Sequence, residues 1–197
     1  MKIEKGSTDE KIVSATFRLL KKEGSDKTTT KKIAAEAEVN EVTIFRNFGN
    51  KKKLIEVTKD HYMGILIDKL NEIFEFDEDD TIEVYLKRNF IGVLNLPDSD
   101  FSIIKIAIQE LNEIPEKKLL ILDIVKVILN KLESFFELQK QKGTINMDVD
   151  THVLTINWFG VVFQSVILWK LYHADTDEEG PDYSQEFLNI LFNGIKP

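Results

Sequence analysis

Threonine, asparagine, arginine and lysine side chains are concentrated in one stretch of the sequence, TTTKKIAAEAEVNEVTIFRNFGNKKK at residues 28–53. Lysines stand near both ends of this stretch, at positions 31–32 and 51–53. Such cations can neutralise phosphates, and the amide, hydroxyl and guanidinium groups between them can form hydrogen bonds with base edges. The residue types therefore point to nucleic-acid binding and not to bond-breaking chemistry.

The apolar residues of the same stretch have the spacing of two short helices joined by a tight turn. Ile33 and Ala37 are four residues apart on the first helix. Val39, Ile44 and Phe48 follow at spacings that place them on the inward side of the second helix. This pattern predicts a helix-turn-helix, whose second helix lies in the major groove of DNA.

The charge distribution separates this region from the rest of the chain. The net charge is −8, with 26 Lys and Arg against 34 Asp and Glu. Residues 1–55 contain 13 basic and 8 acidic residues, a local charge of +5, so the remaining residues carry −13. A basic N-terminal part beside an acidic remainder indicates that only the N-terminal part meets a polyanion.

The elements that hold this region are all predicted to be helices. Only four prolines and nine glycines, with helical spacing of apolar residues and no clear strand alternation, predict an all-α protein of about nine helices. Asn40 is the expected N-cap of the third helix, and a long helix from Lys51 to about Phe76 is expected to link two domains. Later helices are expected at 81–96, 98–112, 115–142, 150–173 and 183–195.

The chain is predicted to divide into two domains. Residues 1–50 form the predicted N-terminal three-helix, helix-turn-helix DNA-binding domain. Residues 51–197 form the predicted C-terminal helical bundle for ligand binding and dimerisation. We expect the charge asymmetry to follow this division, because the lysine-rich stretch ends at the boundary.

The chain lacks the residues that several other classes of function require. The chain has no cysteine, no paired histidine and carboxylate constellation and no phosphate-binding glycine loop, so we expect neither an enzyme nor a bound cofactor. The only cluster of metal-ligand residue types, DVDTH at 148–152, is better explained by helix capping, and no metal site is expected.

Two features of the sequence bear on location. The N-terminus lacks the apolar run of a secretory signal. The stretch Val153–Trp169 carries no charge, but it includes polar residues and is shorter than the ~20 residues that a spanning helix needs. We therefore expect a buried or interface helix there, no membrane association and a cytoplasmic protein.

The N-terminal part of the chain resembles the DNA-binding domain of the TetR (tetracycline repressor) family of transcriptional regulators. The resemblance rests on a spaced series of residues and not on a single motif. The series is Ile12, Ala15, Leu19, Leu20, Gly24, Thr28, Thr29, Ile33, Ala34, Ala37, Val39, Thr43, Ile44, Phe45, Phe48, Lys51 and Leu54. The rest of the chain resembles the family only in architecture.

The resemblance implies a homodimer whose two N-terminal domains bind a near-palindromic operator in double-stranded DNA. It also implies a small-molecule effector, of unknown identity, that binds the C-terminal domain and weakens DNA binding, so a repressor is expected. The DNA-binding residues implied by the resemblance are Thr29, Asn40, Glu41, Val42, Thr43, Phe45, Arg46, Asn47 and Lys51.

Four positions depart from the family pattern. Glu38 stands where a glycine normally makes the turn, so a left-handed backbone there would be strained by ~1–2 kcal/mol. Ser25 replaces a common aromatic residue, and Phe45 replaces a frequent tyrosine. Glu41 adds an acidic group that weakens nonspecific binding but can accept a hydrogen bond from cytosine N4.

The C-terminal domain contains candidates for a pocket and for a dimer contact. The pocket candidates, each of which can also be a core residue, are Tyr62, Met63, Tyr85, Asn89, Phe90, Phe101, Trp158 and Phe163. The dimer-interface candidates are Gly160, Gln164, Ile167, Leu188, Leu191, Phe192 and Ile195. The alternative to a DNA-binding regulator is a helical interaction or carrier protein whose basic end contacts a partner protein.

Overall fold

The computed structural model describes residues 3–110, 120–170 and 182–193, and most of these residues lie in helices. The all-α prediction is confirmed, and nine α-helices lie in these ranges. They are α1 Thr8–Lys27, α2 Thr30–Glu36, α3 Glu41–Phe48, α4 Lys51–Ile73, α5 Ile82–Leu94, α6 Asp98–Glu110, α7 Leu120–Gln141, α8 Thr151–Val162 and α9 Ser184–Asn193.

The N-terminal helices begin at side-chain caps that the sequence makes visible. The hydroxyl of Ser7 accepts a hydrogen bond from the backbone N–H of Glu10 at the start of α1. Thr29 caps α2 and Asn40 caps α3, as predicted for Asn40. Each cap satisfies a backbone donor that the first turn leaves without an intrahelical partner.

The C-terminal helices differ from the predicted bounds mainly in two places, besides α5, which ends at Leu94 and not at residue 96. The linking helix α4 ends at Ile73, because Phe74 leaves the helical conformation while its backbone N–H still bonds to the carbonyl of Leu70 at 2.9 Å. The helix that follows Asp150 changes after Val162 into a π-helical segment, Phe163–Leu168. The predicted start near Pro115, and the predicted ends near Asn112, His173 and Ile195, lie outside the described residues.

Buried apolar side chains form two clusters. The N-terminal cluster is built from α1 to α4 and contains Ile12, Val13, Ala15, Ile33, Ala34, Ala37, Ile44, Phe48, Leu54 and Val57. The larger cluster fills the bundle of α4 to α9, and Phe17 and Leu20 of α1 join it. Helices α1 and α4 contribute to both clusters, and the predicted domain division at residue 50 stays a prediction.

Tyr62 on α4 stands at the junction of the two clusters and packs against both. Its ring stacks on Phe17 of α1, with 3.7 Å between ring centroids and 14° between ring planes. Aromatic pairs of this kind contribute about 0.5–1.5 kcal/mol beyond the area they bury. The junction thus joins the N-terminal helices to the bundle through side chains that are packed on both sides.

The acidic connection between α4 and α5 is bound tightly to the bundle. The guanidinium of Arg88 donates to both carboxylate oxygens of Asp80, at 3.0 and 2.6 Å, and to the carbonyl of Glu75 at 2.8 Å. The side-chain amide of Gln139 on α7 donates to the carbonyl of Asp80 at 2.9 Å. The bonds from Arg88 lower the pKa of the Asp80 carboxyl, because they stabilise its charged form.

Within the described ranges, one helix has the length and composition to cross a membrane. It runs over Thr151–Leu168 with mean hydropathy 1.4, and 33% of this window is buried in the chain. Trp158, Val162 and Val166 are among its buried side chains. Part of its apolar surface thus belongs to the core of the bundle, and the rest is exposed on one side.

Candidate nucleic-acid interface

Helix α3 has one buried face and one exposed face. Ile44 and Phe48 are 0% and 5% exposed and pack into the N-terminal cluster. On the outward face, Val42 is 69% exposed, Phe45 is 47% exposed and Arg46 is also exposed. Apolar groups of this kind contact the thymine methyl, and an arginine can bind guanine through two hydrogen bonds. The exposed face of α3 therefore has the chemistry of a base-reading surface.

The helix caps of the hairpin hold two of the predicted DNA-binding residues in place. The Asn40 side-chain oxygen accepts from the backbone N–H of Val42 at 2.9 Å, so its amide nitrogen keeps two donors for an external acceptor. The Thr29 hydroxyl accepts from the backbone N–H of Lys32 at 3.2 Å. Both side chains are exposed. Each lies at the positive end of a helix, where phosphate binds favourably.

Glu41 and Thr43 lie at the borders of the exposed face. Both side chains are half-buried, and Glu41 is in the first turn of α3. A carboxylate at this end of a helix interacts favourably with the helix dipole. The predicted roles of the two residues in base reading stay predictions.

Asn47 is occupied by contacts inside the protein. Its Nδ2 donates to the Asp9 carboxylate at 2.6 Å, and its Oδ1 accepts from the Arg46 Nε at 3.2 Å. Asp9 is in the first turn of α1, 38 residues away along the chain. The resemblance alone did not indicate Asp9, since no spacing rule connects residues on two separate helices at this distance.

Lys51 is tied to the C-terminal end of α1. Its Nζ donates to the carbonyl of Ser25 at 2.8 Å. A lysine ammonium has three donors, so two remain for a phosphate. The bond holds the charge near the N-terminus of α4, where the aligned peptide dipoles add to its positive potential.

The turn between α2 and α3 contains the strained residue that the family pattern predicts. Glu38 has φ of 56°, the only positive φ at a non-glycine position in the described part of the chain. The backbone N–H of Val39 bonds to the carbonyl of Ala34 at 3.0 Å across this turn. The tertiary packing of α2 and α3 therefore holds Glu38 in a conformation that costs about 1–2 kcal/mol for a side-chain-bearing residue.

The eight pocket candidates lie on the helices of the bundle, and most of them are core residues in this structure. Met63, Tyr85, Asn89, Phe90, Phe101 and Trp158 are at most 3% exposed, while Tyr62 and Phe163 are half-buried.

Polar atoms of this aromatic core have specific partners. The Tyr85 hydroxyl donates to the carbonyl of Phe74 at 2.9 Å, and burial raises the pKa of Tyr85. The indole N–H of Trp158 donates to Asn89 Oδ1 at 3.0 Å. The Asn89 Nδ2, in contrast, has no hydrogen-bond partner among the described residues.

The dimer-interface candidates divide into exposed and buried residues. Gly160 and Gln164 are exposed, and Phe192 is 51% exposed. Ile167 and Leu188 are 4% and 1% exposed, so their side chains belong to the core of their own chain. Leu191 is half-buried, and Ile195 lies outside the described residues.

Further apolar residues near these positions are exposed and were not predicted. Val153 and Ile156 on α8 are 60% and 50% exposed, and Ile190 on α9 is 52% exposed. Val153, Ile156, Gly160 and Gln164 recur at helical spacing and form one stripe along α8 and the π-helical segment. We call this set the α8 stripe. Its spacing was present in the sequence, but the length of the charge-free run concealed which side is buried.

The cluster at residues 148–152 behaves as a helix cap. The Asp150 carboxylate accepts from the backbone N–H groups of His152 and Val153 at 2.9 and 3.2 Å. The His152 ring lies 3.3 Å from the Glu133 carboxylate. Across the residues that the structure describes, no group of three or more His, Cys, Asp or Glu side chains could hold a metal ion.

Comparisons with known proteins agree with the geometry of the hairpin. Residues 12–58 match the family model described as bacterial regulatory proteins, tetR family. The chain is also 53% identical over 49 residues to an uncharacterized HTH-type transcriptional regulator, YvkB, from Bacillus subtilis (strain 168). That match spans 25% of this chain and 26% of YvkB, so it covers only about a quarter of the relative.

Solved structures match over nearly the whole chain. The fatty acid degradation regulator FadR from Bacillus halodurans aligns with 98% of this chain and 99% of its own, at 24% identity and a TM-score of 0.65. FadR from Bacillus subtilis, solved in complex with stearoyl-CoA, aligns with 95% of this chain and 99% of its own, at 22% identity and a TM-score of 0.58. At these identities the likeness shows the fold alone.

Proposed function

Because the chain belongs, through its N-terminal domain, to the TetR family of bacterial regulatory proteins, we propose that it is a ligand-responsive transcriptional repressor. As a homodimer it binds a palindromic operator through two copies of α3. A small molecule in the C-terminal bundle releases the DNA. The protein acts in the cytoplasm and is not an enzyme.

One observation carries this proposal: α3 exposes Val42, Phe45 and Arg46 together while Ile44 and Phe48 fix its opposite face in the core. Exposed large apolar side chains on a charged domain indicate a binding surface. The domain also has the positive charge that phosphate contacts require, +5 over residues 1–55. The alternative, a helical carrier protein, does not explain why this face carries an exposed arginine next to a capping asparagine.

The exposed apolar surface of α8 and α9 supports the proposed homodimer. In a two-fold dimer the α8 stripe would pack against its own copy, and Ile190 and Phe192 of α9 would flank it. Gly160 suits close approach of two helices, since a Cβ built there meets nothing within 4 Å in the protomer. A dimer of this type would place the two α3 helices about one turn of DNA (~34 Å) apart.

The aromatic core of the bundle supports an apolar effector with a polar group. The Trp158 indole N–H bonds to Asn89 Oδ1 in this core, and the Asn89 Nδ2, which lacks a hydrogen-bond acceptor among the described residues, can donate to one acceptor of a ligand. The Bacillus subtilis FadR was solved in complex with stearoyl-CoA, so long-chain acyl thioesters are the first compounds to test as effectors.

The proposed release mechanism runs through α4. This helix contributes Leu54 and Val57 to the N-terminal cluster and Leu66 and Leu70 to the bundle, so a ligand that shifts α4 moves the recognition helices. Thermodynamic linkage requires that effector and operator weaken each other by the same factor.

Selection of binding sites from a pool of randomised duplexes tests the function directly. We expect the wild-type protein to enrich a near-palindromic sequence with half-sites one turn apart. The Arg46→Ala variant is expected to bind the enriched site at least about 30-fold more weakly, because each of the two protomers loses one bidentate base contact of about 1–3 kcal/mol. Enrichment of no sequence, with a folded protein, would contradict the proposal.

A further inference from the structure

We infer that Asp9 is a positioning residue for operator reading, which acts through Asn47 on the guanidinium of Arg46. The inference rests on the proposed function and goes beyond it, because Asp9 is on α1 and lies outside the recognition hairpin. The three side chains form a hydrogen-bonded series, Asp9 Oδ1 to Asn47 Nδ2 at 2.6 Å and Asn47 Oδ1 to Arg46 Nε at 3.2 Å.

The first bond of the series fixes the orientation of the Asn47 amide. A carboxylate accepts only, so the Asn47 nitrogen must face Asp9 and the Asn47 oxygen must face away from it. Asp9 and Asn47 are both half-buried, which limits competition from water. A charge-assisted bond of this kind is roughly twice as strong as a neutral one.

The second bond fixes the guanidinium plane of Arg46. Its Nε–H is used by Asn47, and the four N–H groups on its two terminal nitrogens remain for DNA. An unrestrained arginine loses conformational freedom when it is immobilised in an interface, and this loss weakens binding. Orientation before binding avoids part of this loss, so the series favours specific contacts over nonspecific ones.

The charge of Asp9 has the opposite effect on DNA in general. A carboxylate near phosphates weakens all DNA binding, whatever the sequence. Asp9 in the first turn of α1 gains a favourable interaction with the helix dipole in return. An acidic residue in a DNA-binding domain is then explained if it improves the ratio of specific to nonspecific affinity.

Two substitutions separate charge from positioning. Asp9→Asn removes the charge but keeps a side-chain oxygen that can accept from Asn47, whereas Asp9→Ala removes both. Both variants lose the same dipole interaction and the same repulsion of phosphate. Glu4→Ala is the control for charge alone, since Glu4 is exposed and lies before α1.

The first measurement is operator affinity by fluorescence anisotropy, with the selected site and a random duplex at one salt concentration. We expect Asp9→Ala to lower operator affinity roughly 3- to 10-fold relative to Asp9→Asn. Both variants and Glu4→Ala should bind the random duplex equally or more tightly than the wild type. In the Arg46→Ala background, the difference between Asp9→Ala and Asp9→Asn should vanish. Equal operator affinities of Asp9→Ala and Asp9→Asn would overturn the inference.

The second measurement needs no DNA and therefore separates this inference from the proposed function. NMR relaxation of the Arg46 Nε–H in the free dimer should report a restrained side chain in the wild type and in Asp9→Asn. It should report a mobile one in Asp9→Ala, with unchanged backbone signals of α3. An Arg46 side chain that is equally mobile in all three proteins would overturn the inference, even if operator binding is found. If Arg46 is restrained but the protein binds no DNA, the hydrogen-bonded series is supported and the proposed function is rejected.

Discussion

The N-terminal domain and the C-terminal bundle are stabilised by different kinds of polar contact. In the N-terminal domain, caps such as Ser7, Thr29 and Asn40 bond to backbone groups two or three residues away. In the bundle, Lys69–Asp100 and Trp158–Asn89 join separate helices, and Arg88 of α5 bonds to Asp80 of the connection before that helix. The helix starts of the domain proposed to read DNA are thus fixed locally, and Asp9–Asn47 links two of its helices. The bundle proposed to bind the effector depends more on contacts between distant segments.

Loss of a core residue in each region should separate their functions. Ile44→Ala and Leu132→Ala each remove part of a side chain that is 0% exposed, and each should lower the free energy of unfolding by about 2–5 kcal/mol. We expect Ile44→Ala to abolish DNA binding while the protein stays dimeric. Leu132→Ala should still bind DNA below its melting temperature. Circular dichroism melting with size-exclusion chromatography checks both, and loss of the dimer in Ile44→Ala would contradict the separation.

A charge on the α8 stripe should break the dimer and leave the hairpin intact. Ile156→Asp would bury a carboxylate in the proposed interface, at a cost of at least ~2 kcal/mol. The expected result in light scattering at micromolar concentration is a folded monomer with greatly weakened operator binding. Val84→Asp is the matched control, because Val84 is similarly exposed, 53% against 50%, but belongs to α5. If Ile156→Asp remains a dimer with unchanged operator affinity, the α8 stripe is not part of the dimer interface.

The Arg88–Asp80 ion pair is expected to contribute a smaller amount to the stability of the bundle. Arg88→Ala should lower the free energy of unfolding by roughly 1.5 kcal/mol, the low end for hydrogen bonds to a charged group, since the Arg88 side chain is 43% exposed.

The pH dependence of this pair has a definite sign. The pKa of Asp80 is lowered in the folded protein, so its stabilisation is complete above the ordinary carboxyl pKa of about 3.9 and is lost as the pH falls through the folded value. Urea unfolding of the wild type and Arg88→Ala should therefore differ most near neutral pH and converge below about pH 4. A constant difference down to pH 3 would exclude this ion pair as the cause.

Relief of the strained turn should give the smallest effect and the opposite sign. Glu38→Gly places a residue without a Cβ at φ of 56°, which should raise the free energy of unfolding by roughly 0.5–1 kcal/mol after the entropy cost of glycine. Glu36→Gly, in the last turn of α2, is the control and should destabilise. Thermal melting measures both, and a lower melting temperature for Glu38→Gly would show that its side chain stabilises the turn.

Local patterns accounted for most of the N-terminal domain. Ile33, Ile44 and Phe48 could be assigned to the core from spacing, and Asn40 to a cap from residue type, because each depends on neighbours within one or two turns. The strain at Glu38 was also predictable, since the turn needs a left-handed residue whatever its side chain. The bond between Asp9 and Asn47 was not predictable, because it depends on how α1 packs across α3.

The bundle was less predictable for the same reason. The charge-free run at 153–169 indicated burial of the helix. Which side of the helix packs against the bundle decides that Trp158 is buried and Ile156 is exposed. Leu188 was expected at a dimer contact and lies in the core of its own chain, since its burial depends on the packing of α9 against α5. The change to π-helical geometry at Phe163 has no signal in the residue types.

The salt dependence of binding to a random duplex tests most directly whether the N-terminal domain is the DNA-binding region. Log affinity of the wild-type dimer should fall linearly with log salt concentration, with a slope of about −0.9 for each phosphate contacted. Lys51→Gln removes one charge per protomer and should reduce the slope by about 1.8, while Lys126→Gln, exposed on α7, should leave it unchanged. DNA affinity that does not change with salt concentration would contradict DNA recognition by this domain. So would a slope that is changed by Lys126→Gln and not by Lys51→Gln.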